Sequence, residues 1–440
     1  MRILLLQPSQ SIIIGRKKKN GSIMPPLGLL SLAAAIREKC GDVQIDFFDY
    51  EVKNSEEEPD FSQYDIVGLS GTSVHIPHAN ILIKEIRLKN TDACIIIGGP
   101  HATFSYTSLL RDIPELDAVI LGEGEISLTY LVKNYKDRNT IPKYAGIVTR
   151  KTEMAEMSPI IENLDELPEY AYDLVDINRY QLSTHRKALK PPFISYMTSR
   201  GCPFSCQYCQ TPSMFGNNIR YRSAKLVYEE CRKLKQEKKY NSIVFWDDTF
   251  TSSREYAMEL CLYLRKLNIK WMCNTRVDRV DKELLYIMKN AGCEVIFFGV
   301  ESFHEPTLKW LKRTTNEQIV FKAFRLCREV GIQTVAALMI GSPYDTLESI
   351  DQNVNKLKEL QPDKVYISIY NVTVGSKEFK RAIMSGELDE DIDWLNPKCF
   401  IGPPYGLPTV NPRLNRFQLQ KAQKSVYKEF YGKGNEIQYE

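Results

Sequence analysis

Net charge is nearly absent from this sequence: 58 basic against 55 acidic residues leave +3 over 440 positions. So even a balance gives no electrostatic case for nucleic acid or a membrane surface. Long apolar runs are missing as well. No stretch of eighteen apolar residues occurs, so no membrane span is expected. The opening MRILLLQP holds a short apolar run that reads as a buried strand, not a signal peptide. The expected location is the cytoplasm. No short-period repeat is present. Of eleven cysteines, eight stand singly, among them Cys94, Cys261 and Cys327 inside apolar segments. Such residues are expected to be reduced, buried small hydrophobes.

What is present is alternation. Residues 1–150 alternate short apolar runs (RILLLQP, VQIDFFD, YDIVGLS, ACIIIGG, DAVILGE) with amphipathic helical patterns. That pattern predicts a Rossmann-like, doubly wound parallel sheet with helices on both faces. Three strand ends carry small or polar residues: Ser70, Gly71 and Thr72; Gly98, Gly99 and Pro100; Gly122, Glu123 and Gly124. Ligands of open α/β sheets sit outside such ends. Glycine there allows close backbone approach, although it is also ordinary turn chemistry.

Residues 151–190 are proline-punctuated and acidic, as a linker would be. From 191 to 375 the alternation resumes, with strands expected at 193–199, 242–248, 270–276, 294–301, 333–341 and 364–370. Six strand–helix units suit a partial (β/α)6 barrel of the TIM type better than a complete eightfold one. Residues 376–440 form a mixed, partly helical carboxy-terminal region, ending in an amphipathic helix over NRFQLQKAQKSVYKEFYGKG. The basic run Arg16 to Lys19 and the acidic run Glu56 to Glu58 are expected to be solvated loops.

The three clustered cysteines lie in TSRGCPFSCQYCQTP: Cys202, Cys206 and Cys209, with no fourth cysteine in the twenty residues that follow. A structural zinc site wants four protein ligands. A ferredoxin-type cluster wants four thiolates. Three thiolates on a four-iron cluster leave one iron open to a substrate or cofactor. The loop follows the first barrel strand, at the face where barrel active sites form. Gly201 and Pro203 shape it, and Tyr208 sets an aromatic ring beside the last thiolate.

This loop in this position resembles the radical S-adenosylmethionine (SAM) superfamily. The resemblance implies a [4Fe-4S] cluster on the three cysteines. Its open iron would chelate the amino and carboxylate groups of SAM, and an electron from it would give a 5′-deoxyadenosyl radical. It also implies SAM contacts from Tyr208; from Asp247 and Asp248 after the second strand; from Arg276 after the third; from Glu301 and Ser302 after the fourth; and from Gly341 and Pro343 after the fifth. Taken singly, these residues have ordinary readings. Asp248 could cap a helix, Arg276 could pair with Asp278, and Glu301 could be a surface group at a strand end. One departure is plain: where the family reads Pro-Gly-Thr after the sixth strand, this chain has Val374, Gly375 and Ser376.

The front domain, through MPPLGLLSLAAAIRE, YDIVGLSGTS, IIIGGPHATF and DAVILGEGE, resembles the cobalamin-binding class of that superfamily. The cobalamin contacts implied are the three strand ends above together with His101. The D-x-H-x-x-G motif that supplies a lower histidine to cobalt is absent. With His75, His78 and His101 the only imidazoles near the loops, the cobalt is expected to lack a protein imidazole. The methylthiotransferase front domain, which brings cysteines for a second cluster, is disfavoured because only Cys40 and Cys94 occur here.

The resemblance implies an enzyme that methylates an unactivated carbon of a small-molecule or lipid-like substrate, using an external low-potential electron donor. An oxidative cyclase or ring-rearranging enzyme with the same cofactors is the alternative. A non-catalytic cobalamin- or cluster-binding sensor is another. The segment CFIGPPYGLPTVNP is expected to border the substrate pocket.

Overall fold

The structure is a computed structural model that describes residues 1–10, 23–53, 57–183, 188–396 and 410–432. The basic run at 16–19, Glu56 and the segment 399–409 lie outside the described residues.

The front sheet is built from β1 (Arg2–Gln7), β2 (Gln44–Asp49), β3 (Ile66–Ser70), β4 (Cys94–Gly98), β5 (Ala118–Ile120) and β6 (Ile147–Val148). Its order is β2-β1-β3-β4-β5-β6. The first five strands are parallel, and β6 is antiparallel to β5. Alternate side chains of β1 divide between two cores. Ile3 and Leu5 pack with the helices Leu27–Lys39 and Gly124–Asn134, whereas Leu4 and Leu6 pack with Ile76–Lys89 and Tyr106–Asp112. A strand buried on both faces reads as a continuous apolar run, which is why RILLLQ has that form. The strand order reverses between β1 and β3, the place where this architecture leaves a crevice for a ligand.

The second sheet holds β7 (Phe193–Tyr196), β10 (Ser242–Phe245), β11 (Lys270–Thr275), β12 (Cys293–Glu301), β13 (Gln333–Ile340) and β14 (Lys364–Ile369). All its pairs are parallel, in the order β14-β13-β12-β11-β10-β7. The expected barrel is thus a six-stranded sheet with β7 and β14 at its edges. The helices between strands open on polar caps that local sequence supplies. Ser253, Asp281, Asn316 and Thr346 each accept a backbone N–H with the side chain, satisfying a donor that the helix start leaves free.

A short antiparallel pair, β8 (Ser199–Arg200) with β9 (Arg220–Tyr221), brackets the cysteine loop. The first barrel strand therefore stops at Tyr196, and a hairpin stem separates it from the loop. The stretch 151–183 carries three short 3-10 turns, Leu164–Glu166, Tyr172–Leu174 and Ile177–Arg179. Tyr172, Val175, Ile177 and Tyr180 are buried in the same core cluster as both sheets. The carboxy-terminal helix Arg416–Tyr431 docks on β14, where the Tyr427 and Tyr431 hydroxyls accept the N–H groups of Ile367 and Val365. Gly375, the glycine kept in the altered loop after β14, has φ +82°, and a Cβ on it would lie 2.3 Å from the Phe104 ring of the front domain. Only glycine allows that approach. No helix among the described residues is long and apolar enough to cross a membrane.

Candidate active site

Cys202, Cys206 and Cys209 line one cavity of about 740 Å³ at the carboxyl ends of the second sheet. Gly201 turns the chain into the loop at φ +100°, where an added Cβ would meet the Asn218 carbonyl at 2.3 Å. The Cys202 N–H donates to the Gly216 carbonyl, closing the loop on itself. All three thiols are free. Burial pushes the Cys202 thiol up and the Cys209 thiol up to about 11, against the Thr211 N–H that donates to Cys209 Sγ at 3.4 Å. A metal here must displace those protons. Among the described residues no set of three or more His, Cys, Asp or Glu side chains closes around one metal ion. One tetrahedral ion would draw thiolates to about 3.8 Å of each other. Thiolates on separate irons of a cluster stand farther apart.

Of the residues expected around SAM, Tyr208, Asp248, Arg276 and Glu301 line this cavity with the cysteines. Glu301 owes its aim to a register shift in β12 between Gly299 and Glu301 and to its own φ of +68°. A left-handed non-glycine residue costs about 1–2 kcal/mol. It turns the carboxylate inward, where Tyr208 Oη donates to Oε1 at 2.9 Å and Arg313 at 2.7 Å. Glu301 is therefore a cavity residue and not a surface group. Arg276 does pair with Asp278, donating at 2.8 and 2.7 Å, and its guanidinium also lies 3.8 Å from the centre of the Phe204 ring within the cysteine loop. That cation–π contact fastens the loop to the end of β11. Asp248 caps no helix; it accepts from Thr211 Oγ1 at 3.0 Å, and burial pushes its carboxyl up to about 6.

Asp247, Ser302, Gly341 and Pro343 do not line this cavity. The buried Asp247 carboxylate accepts from Thr198 N and Oγ1 and from Ser199 Oγ, fixing the approach to the loop from behind. Ser302 bonds to Asn353 and accepts from His304 N. Gly341, at φ +95°, faces Leu419 of the terminal helix, and its N–H donates to the buried Asp345. Pro343 lies within that same turn.

A second cavity, of about 360 Å³, opens where the front sheet reverses its strand order. Ser70, Gly71, Thr72, Gly98, Gly99, Pro100, Gly122, Glu123 and Gly124 all line it. The front domain is not its only wall: Met197, Arg200, Met214 and Phe215 close it from beside the cysteine loop. The cradle is open toward the ligand side. A Cβ on Gly28 would meet nothing within 4 Å, and on Gly98 nothing nearer than 3.6 Å. His101 does not line this cavity. It is buried against Trp394 with Nδ1 on Ser73 Oγ, and burial pushes its imidazole down to about 3. His78 accepts from Ser9 N, and His75 is held by Thr72 N.

Two side chains of consequence carry no signal in the sequence. Arg313 sits in an irregular loop after the helix Glu305–Trp310, with no periodic or motif signal. Arg200, just before Gly201, pairs across to the front domain with Glu123 and Glu125.

Comparison with known proteins adds names to this geometry. Residues 196–369 match the Radical SAM superfamily model, and residues 17–132 match the B12 binding domain model. An uncharacterized methyltransferase of Pyrococcus horikoshii is 30% identical over 98% of this chain and 92% of its own length. An anaerobic magnesium-protoporphyrin IX monomethyl ester cyclase of Rubrivivax gelatinosus is 27% identical, over 70% of this chain and 56% of its own. The radical SAM methyltransferase TsrM of Kitasatospora setae, solved with cobalamin and a [4Fe-4S] cluster, has a similar fold. It superposes with a TM-score of 0.68 at 16% identity, covering 89% of this chain and 79% of that one.

Proposed function

The chain belongs to the cobalamin-dependent radical SAM methyltransferase family, and from that premise we propose that it methylates an unactivated carbon of a small-molecule or lipid-like substrate. The observation that carries this reading is the pair of cavities. One gathers the three cysteines with Tyr208, Asp248, Arg276 and Glu301; the other opens on the ligand edge of the front sheet and is closed by residues flanking the cysteine loop. When bound, the cluster supplies one electron to SAM, SAM supplies the hydrogen-abstracting radical and the methyl group, and cobalamin carries the methyl group.

The residues divide the work. Cys202, Cys206 and Cys209 would hold three irons of the cluster and leave one open. Asp248 would face the SAM amino group, and Glu301, oriented by Arg313 and Tyr208, would accept from its ribose hydroxyls. Arg276, already paired with Asp278, holds the cysteine loop through Phe204. Asp247 positions residues 198–199, and the Gly341–Pro343 turn with Ser302 supports the strand ends from outside the cavity. Exclusion of water from the cavity by bound SAM and substrate would strengthen these charged contacts. The glycine-bearing ends of β3, β4 and β5 would seat cobalamin; His75 lines that cavity with Nδ1 held by Thr72, whereas His101, held through Nδ1 by Ser73, lies outside it.

The test uses anaerobic protein reconstituted with iron, sulfide and hydroxocobalamin, with SAM and titanium(III) citrate as reductant. Formation of both 5′-deoxyadenosine and S-adenosylhomocysteine, the second tracking the cobalamin content, supports methyl transfer. The cyclase relative favours a second reading, in which 5′-deoxyadenosine forms without S-adenosylhomocysteine. Cys206→Ala is expected to abolish both products.

A further inference from the structure

Arg200 and Arg220 face each other across the two-residue stem that carries the cysteine loop. Both guanidinium groups reach one carboxylate of the front domain. Arg200 donates to Glu123 Oε2 at 2.7 Å, and Arg220 donates to Glu123 Oε1. Arg200 also donates to Glu125 Oε1 at 2.6 Å, an oxygen that Ser31 Oγ holds as well. The four charged side chains are 2–10% exposed. Burial alone would push the Glu125 carboxyl up, but Arg200 and Ser31 outweigh it and hold it below its ordinary value. Two cations and two anions make the group neutral, so no net charge is buried. Glu123 and Glu125 sit at the start of the helix Gly124–Asn134, where the helix dipole favours anions.

This network lines the front cavity and adjoins the cysteine loop. Glu123, Glu125 and Arg200 line the cavity of the front sheet. Arg200 is two residues from Cys202. On its other side the same stretch is fixed by Asp247, whose neighbour Asp248 lines the cysteine cavity and bonds Thr211, whose N–H in turn reaches Cys209 Sγ. Hydrogen bonds joined by neighbouring residues of the chain therefore link the front cavity to both ends of the cysteine loop.

We propose that Arg200 is a positioning residue that couples the two sites: ordering the cysteine loop on its cluster fixes Arg200, and Arg200 fixes the wall against which cobalamin seats. The proposal rests on the cofactor reading above. By linkage, a loop ordered by its cluster makes cobalamin binding tighter, because part of the ordering cost is already met. Arg220, with further bonds to the Ile161 and Phe215 carbonyls, anchors the stem rather than the cavity wall.

The test measures the dissociation constant of hydroxocobalamin by absorption titration, on cluster-loaded and cluster-free protein. The wild type is expected to bind about fivefold or more tightly when loaded, the lower end of typical coupling. Arg200→Lys keeps the charge but loses the two-carboxylate fork, and is expected to bring the ratio near one while retaining four irons. Glu123→Gln carries the same expectation should the lysine variant fail to fold. A wild-type ratio of one, or the wild-type ratio persisting in both variants, overturns the proposal. So does loss of both cofactors by both variants, which assigns the network to folding alone. Failure of the wild type to form 5′-deoxyadenosine from SAM would instead contradict the underlying cofactor reading.

Discussion

Tyr208 and Glu301, 93 residues apart in sequence, meet through a hydrogen bond of 2.9 Å inside the cysteine cavity. The bond joins the cysteine loop to the end of β12, so the aromatic ring beside Cys209 is tied to the carboxylate proposed to contact SAM. Tyr208→Phe removes the donor and keeps the ring. Glu301 retains Arg313, so the loss is part of a charge-assisted bond, about 1 kcal/mol. The expected outcome is SAM binding weakened about fivefold with iron content unchanged, measured by equilibrium dialysis.

Arg313 carries more. Its side chain is 4% exposed, and it donates to Glu301 Oε1 and to the Gly299 carbonyl. Arg313→Ala leaves Glu301 buried beside only a neutral donor. Breaking such a pair from one side costs about 3 kcal/mol. Denaturant unfolding is expected to show that loss, and Arg313→Lys to recover part of it.

The front cavity makes a steric prediction. Gly98 lines it without a positive φ, and an added Cβ there meets only ordinary contacts at Ile120. The backbone therefore tolerates a larger residue while the cavity loses volume. Gly98→Leu is expected to weaken hydroxocobalamin binding more than about tenfold, a cost of about 1.4 kcal/mol. Four irons per chain are expected to be retained.

Asp49 sets a pH dependence. It is buried at the end of β2, where burial pushes its carboxyl up to about 7 against bonds from the Glu51 N–H and Tyr180 Oη. The unfolded carboxyl ionises near pH 4. Between about pH 4 and 7 the folded chain thus binds more protons than the unfolded chain, and this group makes stability fall as pH rises. Asp49→Asn is expected to flatten the fall in Tm between pH 5 and 8, checked by thermal unfolding across that range.

Strand positions were legible because each strand of the second sheet lies within a short apolar run, although the expected ends at 199 and 248 lie beyond the observed Tyr196 and Phe245. Part of the glycine pattern at the front-sheet ends was legible because the backbone requires glycine at Gly99, with φ +93°, and at Gly122, with φ +75°. The division of labour between Asp247 and Asp248 was not legible. At a strand end, neighbouring side chains point to opposite sides, and sequence alone leaves the parity open. One carboxylate turns into the core to hold Thr198 and Ser199, and the other faces the cavity. Arg313 and the Arg200–Glu123 pair were hidden for another reason. Arg313 comes from an irregular loop, and Arg200, on a two-residue strand, meets a residue 77 positions away, so no local period announces them. His101 likewise finds its partner, Trp394, nearly three hundred residues away.

The most direct test is the iron, sulfide and cobalt content of the anaerobically reconstituted chain, read with its absorption spectrum. The account predicts four irons, four sulfides and one cobalt per chain. Four irons without cobalt, with hydroxocobalamin offered in excess, would contradict it.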